Sequence, residues 1–143
     1  MAPSNLPHLH RFIDFINSCD TTIGQEIISD SATFHVPFGT EPLKGLDGYL
    51  QILSMMRSAF PDINWTLQET ICESDRVVAR FETRGTQEGP FMGFPASGKK
   101  ICMTALNVYR FEEGKIVEER GQPDIFGLMM QIGAIPLPGA PPQ

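Results

Sequence analysis

The chain is short of cysteine, of clustered basic charge and of long apolar runs. Its three cysteines, Cys19, Cys72 and Cys102, are far apart and odd in number. No C-x-x-C or Cys/His spacing occurs, so neither a disulfide framework nor a structural zinc site is expected. Free thiols in a reducing compartment are the plain reading. The longest basic run is Lys99-Lys100, against a formal net charge of −6. That balance argues against nucleic acid and against an anionic membrane as partners. No apolar stretch approaches the ~20 residues that cross a bilayer. The opening MAPSNLPHLHRF has no apolar signal core, so a cytoplasmic protein is expected. No serine has a nucleophile-elbow context, no glycine-rich loop runs from a strand into a helix, and no metal-ligand cluster is visible. Acid/base chemistry with no cofactor and no metal is what remains.

What is present suits one domain over residues 1–143, with tails at 1–5 and 134–143. A chain of 143 residues with 41% hydrophobic content can bury about two-thirds of its unfolded surface. Leu9, Phe12, Ile13 and Ile16 follow helical spacing from Leu6 to about Asn17. Asp20 or Thr21 caps a short second helix near 22–29, and Ser29-Asp30-Ser31 breaks it. ATFHV, residues 32–36, reads as a strand closed by Pro37. FGTEPLKG reads as a loop. Tyr49, Leu53, Met56 and Phe60 mark a third helix over 46–59. Strands follow at 64–72 and 76–85. Val77, Ala79, Phe81 and Thr83 share the inner face of the second. GTQEGPFMGFPASGKK is a long loop anchored by Phe91, Met92 and Phe94. A short last helix carries Ile125, Leu128, Met129 and Ile132, and Gly133 ends it.

Residues 100–124 form a long hairpin around Glu112-Glu113-Gly114. Met103, Ala105, Asn107, Tyr109 and Phe111 alternate onto one face. Val117, Glu119 and Gly121 share a face of the second arm, with Ile116, Glu118 and Arg120 opposite. An amide, a phenol and a carboxylate among apolar residues fit a strand that lines a small-molecule cavity. A core with one satisfied asparagine fits too. Helices first and antiparallel strands later give an α+β fold.

AFPD after the third helix, DRVVARF, RGT–EGPF–GFPASGK, YRFEEGKIVEE and a closing D–GL–QIG together resemble the SnoaL-like polyketide cyclase family. The likeness spans nearly the whole chain. It implies the cone-shaped α+β barrel of the nuclear transport factor 2-like (cystatin-like) superfamily. There, a curved antiparallel sheet wraps a long helix, and a terminal helix lies over the cavity mouth. It also implies homodimerisation through the outer sheet face. Cyclases of the family use an acid/base pair whose two positions fall here on Asn107 and Gly121, and neither keeps the cyclase residue. Glu119 falls where the family often has a histidine, and Asp124 matches a further aspartate.

Asp124, His35 and Glu119 are the candidate proton-transfer groups. Asp124 is either an N-cap or a carboxylate at the cavity mouth. His35 is either a strand-end histidine bonded to a loop carbonyl or, with Thr33 facing in, the partner of Asp124. Glu119 is either a surface partner of an arginine or an inward carboxylate. Asn107 and Tyr109 would hold a substrate oxygen, unless Asn107 is a structural amide. Tyr49, Met56, Phe60, Trp65, Phe81 and Met103 are core, some of them lining any cavity. Arg80 and Arg84 belong to the outer or dimer-facing surface. The expected activity is a cofactor-independent isomerase or cyclase acting on a bulky, apolar, oxygenated polyketide- or terpenoid-like intermediate of secondary metabolism. An epoxide hydrolase would need Arg80 or Arg120 inward. A non-catalytic binding or dimerisation module would fill its cavity with Met and Phe, leaving Asp124 and His35 exposed and unpaired.

Overall fold

Helix α1 (Leu6–Ser18) buries Leu9, Phe12, Phe15 and Ile16. Phe15 completes the stripe read from the spacing, and Ile13 is half-buried at its edge. The helix stops where Cys19 turns left-handed at φ 58°. Two carbonyls left open by its last turn, those of Ile16 and Asn17, accept from the Arg57 guanidinium at 2.8 and 2.9 Å. Asp20 then caps α2 (Thr21–Ile27), accepting from the Thr22 amide at 2.9 Å. These coordinates, a computed structural model, describe residues 4–37, 41–136 and 139.

Strand β1 (Ile28–His35) starts directly after α2, so the helix ends at Ile27, short of the expected residue 29, and Ser29-Asp30-Ser31 lie within the strand that follows. The loop expected after Pro37 lies in part outside the described residues; its end forms a two-residue strand, β2 (Leu43–Lys44). Helix α3 (Gly45–Ala59) buries Tyr49, Leu53 and Met56. A meander follows: β3 (Asn64–Glu73), β4 (Arg76–Thr86), β5 (Lys100–Glu112) and β6 (Lys115–Pro123). Helix α4 (Ile125–Gln131) closes the order.

The sheet is a curved, mixed one of six strands, ordered β2-β1-β6-β5-β4-β3. It is not purely antiparallel, because β1 pairs parallel with β6. Hairpin signals fix only neighbours in sequence, and this pairing joins segments far apart in the chain. The β5–β6 hairpin carries a register shift after Arg110 that sets Ile116 opposite Phe111. Ile116 is therefore in the core, not on the outer face, and Val117 beside it is buried too. An extra residue in one strand does this locally.

Two side-chain amides dock helices onto strand backbone. Asn17 donates to the Trp65 carbonyl and accepts from the Trp65 amide, at 3.0 and 2.9 Å. Gln131 does the same to Cys102, at 2.8 and 2.7 Å. The loop after β4 is built around buried Gln87, which donates to the Pro95 carbonyl and accepts from the Ser97 amide. Of its three expected anchors only Phe91 is buried, against Phe60. Met92 and Phe94 are exposed.

The first two residues of the tail expected over 134–143 are packed. Ala134 and Ile135 pack against the core cluster of Met56, Phe60 and Leu128. Most of the remaining tail, and residues 1–3, lie outside the described residues.

Candidate active site

The concave side of the sheet, α3 and the start of α4 enclose a cavity. Its wall includes Tyr49, Met56, Trp65, Met103, Asn107 and Glu119. Val36, Pro37, Pro123 and Ile125 complete it where it reaches solvent, so α4 begins at the mouth. The cavity measures about 70 Å³. One water needs roughly 10–15 Å³ on this measure, so several fit. A bulky ligand needs more room than that.

Glu119 lies opposite Tyr109 in the β5–β6 ladder and is 4% exposed. Burial pushes its carboxyl up to about 7, and a hydrogen bond with Tyr109 pulls the other way. Its Oε2 is buried and has no hydrogen-bond partner among the described residues.

The groups behind it are fixed in a chain. The Gln122 amide donates to Asn107 Oδ1 at 3.2 Å. That orients the Asn107 side chain, whose Nδ2 donates to the Tyr109 hydroxyl at 3.1 Å. The Tyr109 hydrogen is then free to serve Glu119. Burial and the neighbouring Glu119 raise both Tyr49 and Tyr109 well above the ordinary phenol value. Tyr109 therefore stays a neutral donor throughout the working pH range.

Gly121 sits one step along the same face, opposite Asn107. A Cβ there would lie 3.3 Å from Asn107 Oδ1 and 3.7 Å from Glu119 Oε1, with no backbone atom among its nearest neighbours. Its φ is not in the left-handed range. The backbone does not require glycine here; what glycine provides is clearance for the polar pair, which a Cβ would crowd.

His35 is placed differently from the expectation. Ala32 and Phe34 face the core, so His35 faces away, 3.9 Å from Glu118 on the outer side. Alternation through Ala32, Phe34 and Val36 carried that signal. Asp124 accepts from the Gly127 amide at 2.9 Å and caps α4. A Cβ at Gly127 would collide with this carboxylate. Neither His35 nor Asp124 lines the cavity, so the two are not brought together there. Phe60 and Phe81 also lie off its wall. Phe60 packs on Phe91, and Phe81 packs edge-on to Tyr109. Arg80 and Arg120 are exposed and paired with Glu69 and Glu118. Neither supplies the inward arginine that epoxide opening would want.

Thr83 is a polar wall residue that sequence reading placed on the inner face of its strand without giving it a role. It is fully buried, lines the cavity, and its Oγ1 has no partner among the described residues. The available signal was a hydroxyl on a strand face otherwise made of Val77, Ala79 and Phe81. Among the described residues, no three His, Cys, Asp or Glu side chains gather as a metal would require.

The site is thus a mostly apolar pocket between a curved sheet and a helix, with one buried carboxyl in its wall. Residues 8–132 match the SnoaL-like polyketide cyclase family, and the chain belongs to it. It is 26% identical over 110 residues to the aklanonic acid methyl ester cyclase DnrD of Streptomyces peucetius, covering 76% of this chain and 72% of that one. The structure of IdmH from Streptomyces antibioticus superposes with a TM-score of 0.81 at 29% identity, over 90% of this chain and 98% of the other. TsrD from Streptomyces laurentii gives 0.80 at 25% identity, over 91% and 95%.

Proposed function

We propose that this cavity carries out cofactor-independent proton transfer on an oxygenated, largely apolar polyketide intermediate, closing a ring or moving a double bond. Glu119 is the proton acceptor and donor. The observation that carries this reading is its buried carboxyl on the cavity wall, raised to about 7, whose Oε2 has no hydrogen-bond partner among the described residues. A group at that value is half ionised near neutral pH, where general acid/base catalysis is most effective. Asn107 and Tyr109 are positioning residues: they hold one carboxyl oxygen and leave the other for substrate. A substrate carbon sits over Gly121, where no side chain intervenes. Family membership and the likeness to DnrD support a ring-closing reaction.

The test is Glu119→Gln, which keeps shape and removes the base. Aklanonic acid methyl ester, the compound named for DnrD, heads the substrate panel, followed by other polyketide esters and quinones. Turnover is expected to fall by about 10²–10⁴-fold. A variant as active as the parent sinks the assignment of Glu119.

We further infer a homodimer built on the outer sheet face. There Ile71 and Leu106 are 65% and 52% exposed. Val78 pairs with both Ile71 and Val108, joining them into one apolar row.

A further inference from the structure

Two residues in the wall of this cavity each carry a buried side-chain oxygen without a hydrogen-bond partner among the described residues: Glu119, at Oε2, and Thr83, at Oγ1. They stand well apart. Glu119 is opposite Tyr109, which is opposite Val77 on β4. Thr83 lies six residues further along that strand, about 20 Å of chain at 3.3 Å per residue. Between them the wall is apolar, with Met56, Met103 and Ala105. A buried hydroxyl without a partner is unfavourable, because its water is lost and nothing replaces it. Packing does not ask for it. Valine has nearly the same shape, suits a strand at least as well, and already fills Val77 on this face. The cross-strand neighbours of Thr83 are Trp65 and Met103, and neither bonds the hydroxyl.

The geometry points to Thr83 as a second recognition site: its hydroxyl binds an oxygen at the end of the substrate remote from the reacting carbon. The substrate is then an elongated apolar body with oxygens at both ends, one against Glu119 and Gly121 and one against Thr83. This rests on the reading of the cavity as a substrate site and adds what the substrate must look like.

The test uses Thr83→Val in the full chain, with two matched pairs of slender linear probes read by the fluorescence of Trp65 on the cavity wall. 1,12-Dodecanediol is compared with 1-dodecanol, and 1,14-tetradecanediol with 1-tetradecanol. The parent protein is expected to bind at least one two-ended probe about ten- to a hundred-fold more tightly than its one-ended relative. Thr83→Val should lose that preference and keep its affinity for the one-ended probe. Its melting temperature should hold or rise by ~2–4 °C, since a desolvated hydroxyl is gone. A parent protein without two-ended preference overturns the inference. So does a variant that keeps the preference, or one that melts lower, which would give the hydroxyl a structural partner. Glu119 is titrated in the same samples by carbon NMR. If the Thr83 results fail while Glu119 still titrates near 7, only this inference falls. A Glu119 that titrates in the ordinary carboxylate range removes the acid/base reading instead.

Discussion

The Tyr109 hydroxyl stands between Asn107 and Glu119, and its hydrogen bond is the force that offsets burial at the carboxyl. Tyr109→Phe removes that bond and also the acceptor of Asn107 Nδ2. The Glu119 midpoint should then move upward by about 1 pH unit, and the rising limb of activity should move with it. Carbon NMR on the labelled carboxyl reads this directly; a midpoint still at about 7 means the hydroxyl does not hold it. Much at this scale was legible in the sequence. Alternation from Val117 put Glu119 and Gly121 on one face, and alternation through β5 put Asn107 and Tyr109 on the matching one. Two things were not legible. Whether a carboxyl is paired or orphaned depends on three strands meeting, and spacing within one strand does not encode that. His35 was misjudged for a different reason. The chemistry of an imidazole suits an inward proton carrier, but the apolar residues flanking it, Phe34 and Val36, place it on the other face.

Elements are held to one another here by side-chain amides as well as by apolar packing. Gln131 exchanges two hydrogen bonds with the backbone of Cys102, and the Asp124 amide donates to the Thr104 carbonyl at 2.8 Å. Together these contacts extend the sheet edge of β5 past the end of β6 and set α4 across the cavity mouth. Gln131→Ala leaves two partly buried backbone groups of Cys102 without partners. The expected cost is about 1–3 kcal/mol, with faster hydrogen exchange at the Cys102 amide. Unchanged exchange there would show that α4 is seated by Leu128 and Met129 alone. The existence and order of the helices and of the four meander strands could be read from periodicity, because each has one buried face. The start of β1 could not, because Ser29, Asp30 and Ser31 carry turn chemistry, and pairing to β6 overrides that local preference. The bulge that buries Ile116 beside Val117 also has no signature in a simple two-residue alternation.

The whole molecule has an inner cavity and an apolar outer row, and each makes a prediction. On the outer face, Leu106→Lys places a charge two residues along β5 from Val108, beside the row of Ile71, Val78 and Val108. Light scattering should report a dimer for the parent chain and a monomer for the variant at micromolar concentration; a monomeric parent ends the dimer proposal. Inside, Glu119 ties global stability to pH. Its folded value of about 7 lies above the ordinary 4.5. The folded protein therefore holds a proton that the unfolded chain gives up between those values. Protonated Glu119 contributes its full share below pH 4.5, and that share is lost as pH rises through 7. The difference amounts to about 3 kcal/mol at 1.36 kcal/mol per pH unit. Denaturant unfolding at pH 5 and pH 8 should show the parent weaker at pH 8 by this order, apart from changes common to both proteins. Glu119→Gln carries no titrating group at this position, so it should lack that loss and be the more stable of the two at pH 8. Parallel pH profiles for parent and variant would mean that Glu119 ionises in the fold as easily as it does in the unfolded chain. A carboxyl that costs the fold stability at the pH where it is half ionised is what a site kept for proton transfer predicts, and a merely structural carboxylate would show the opposite slope.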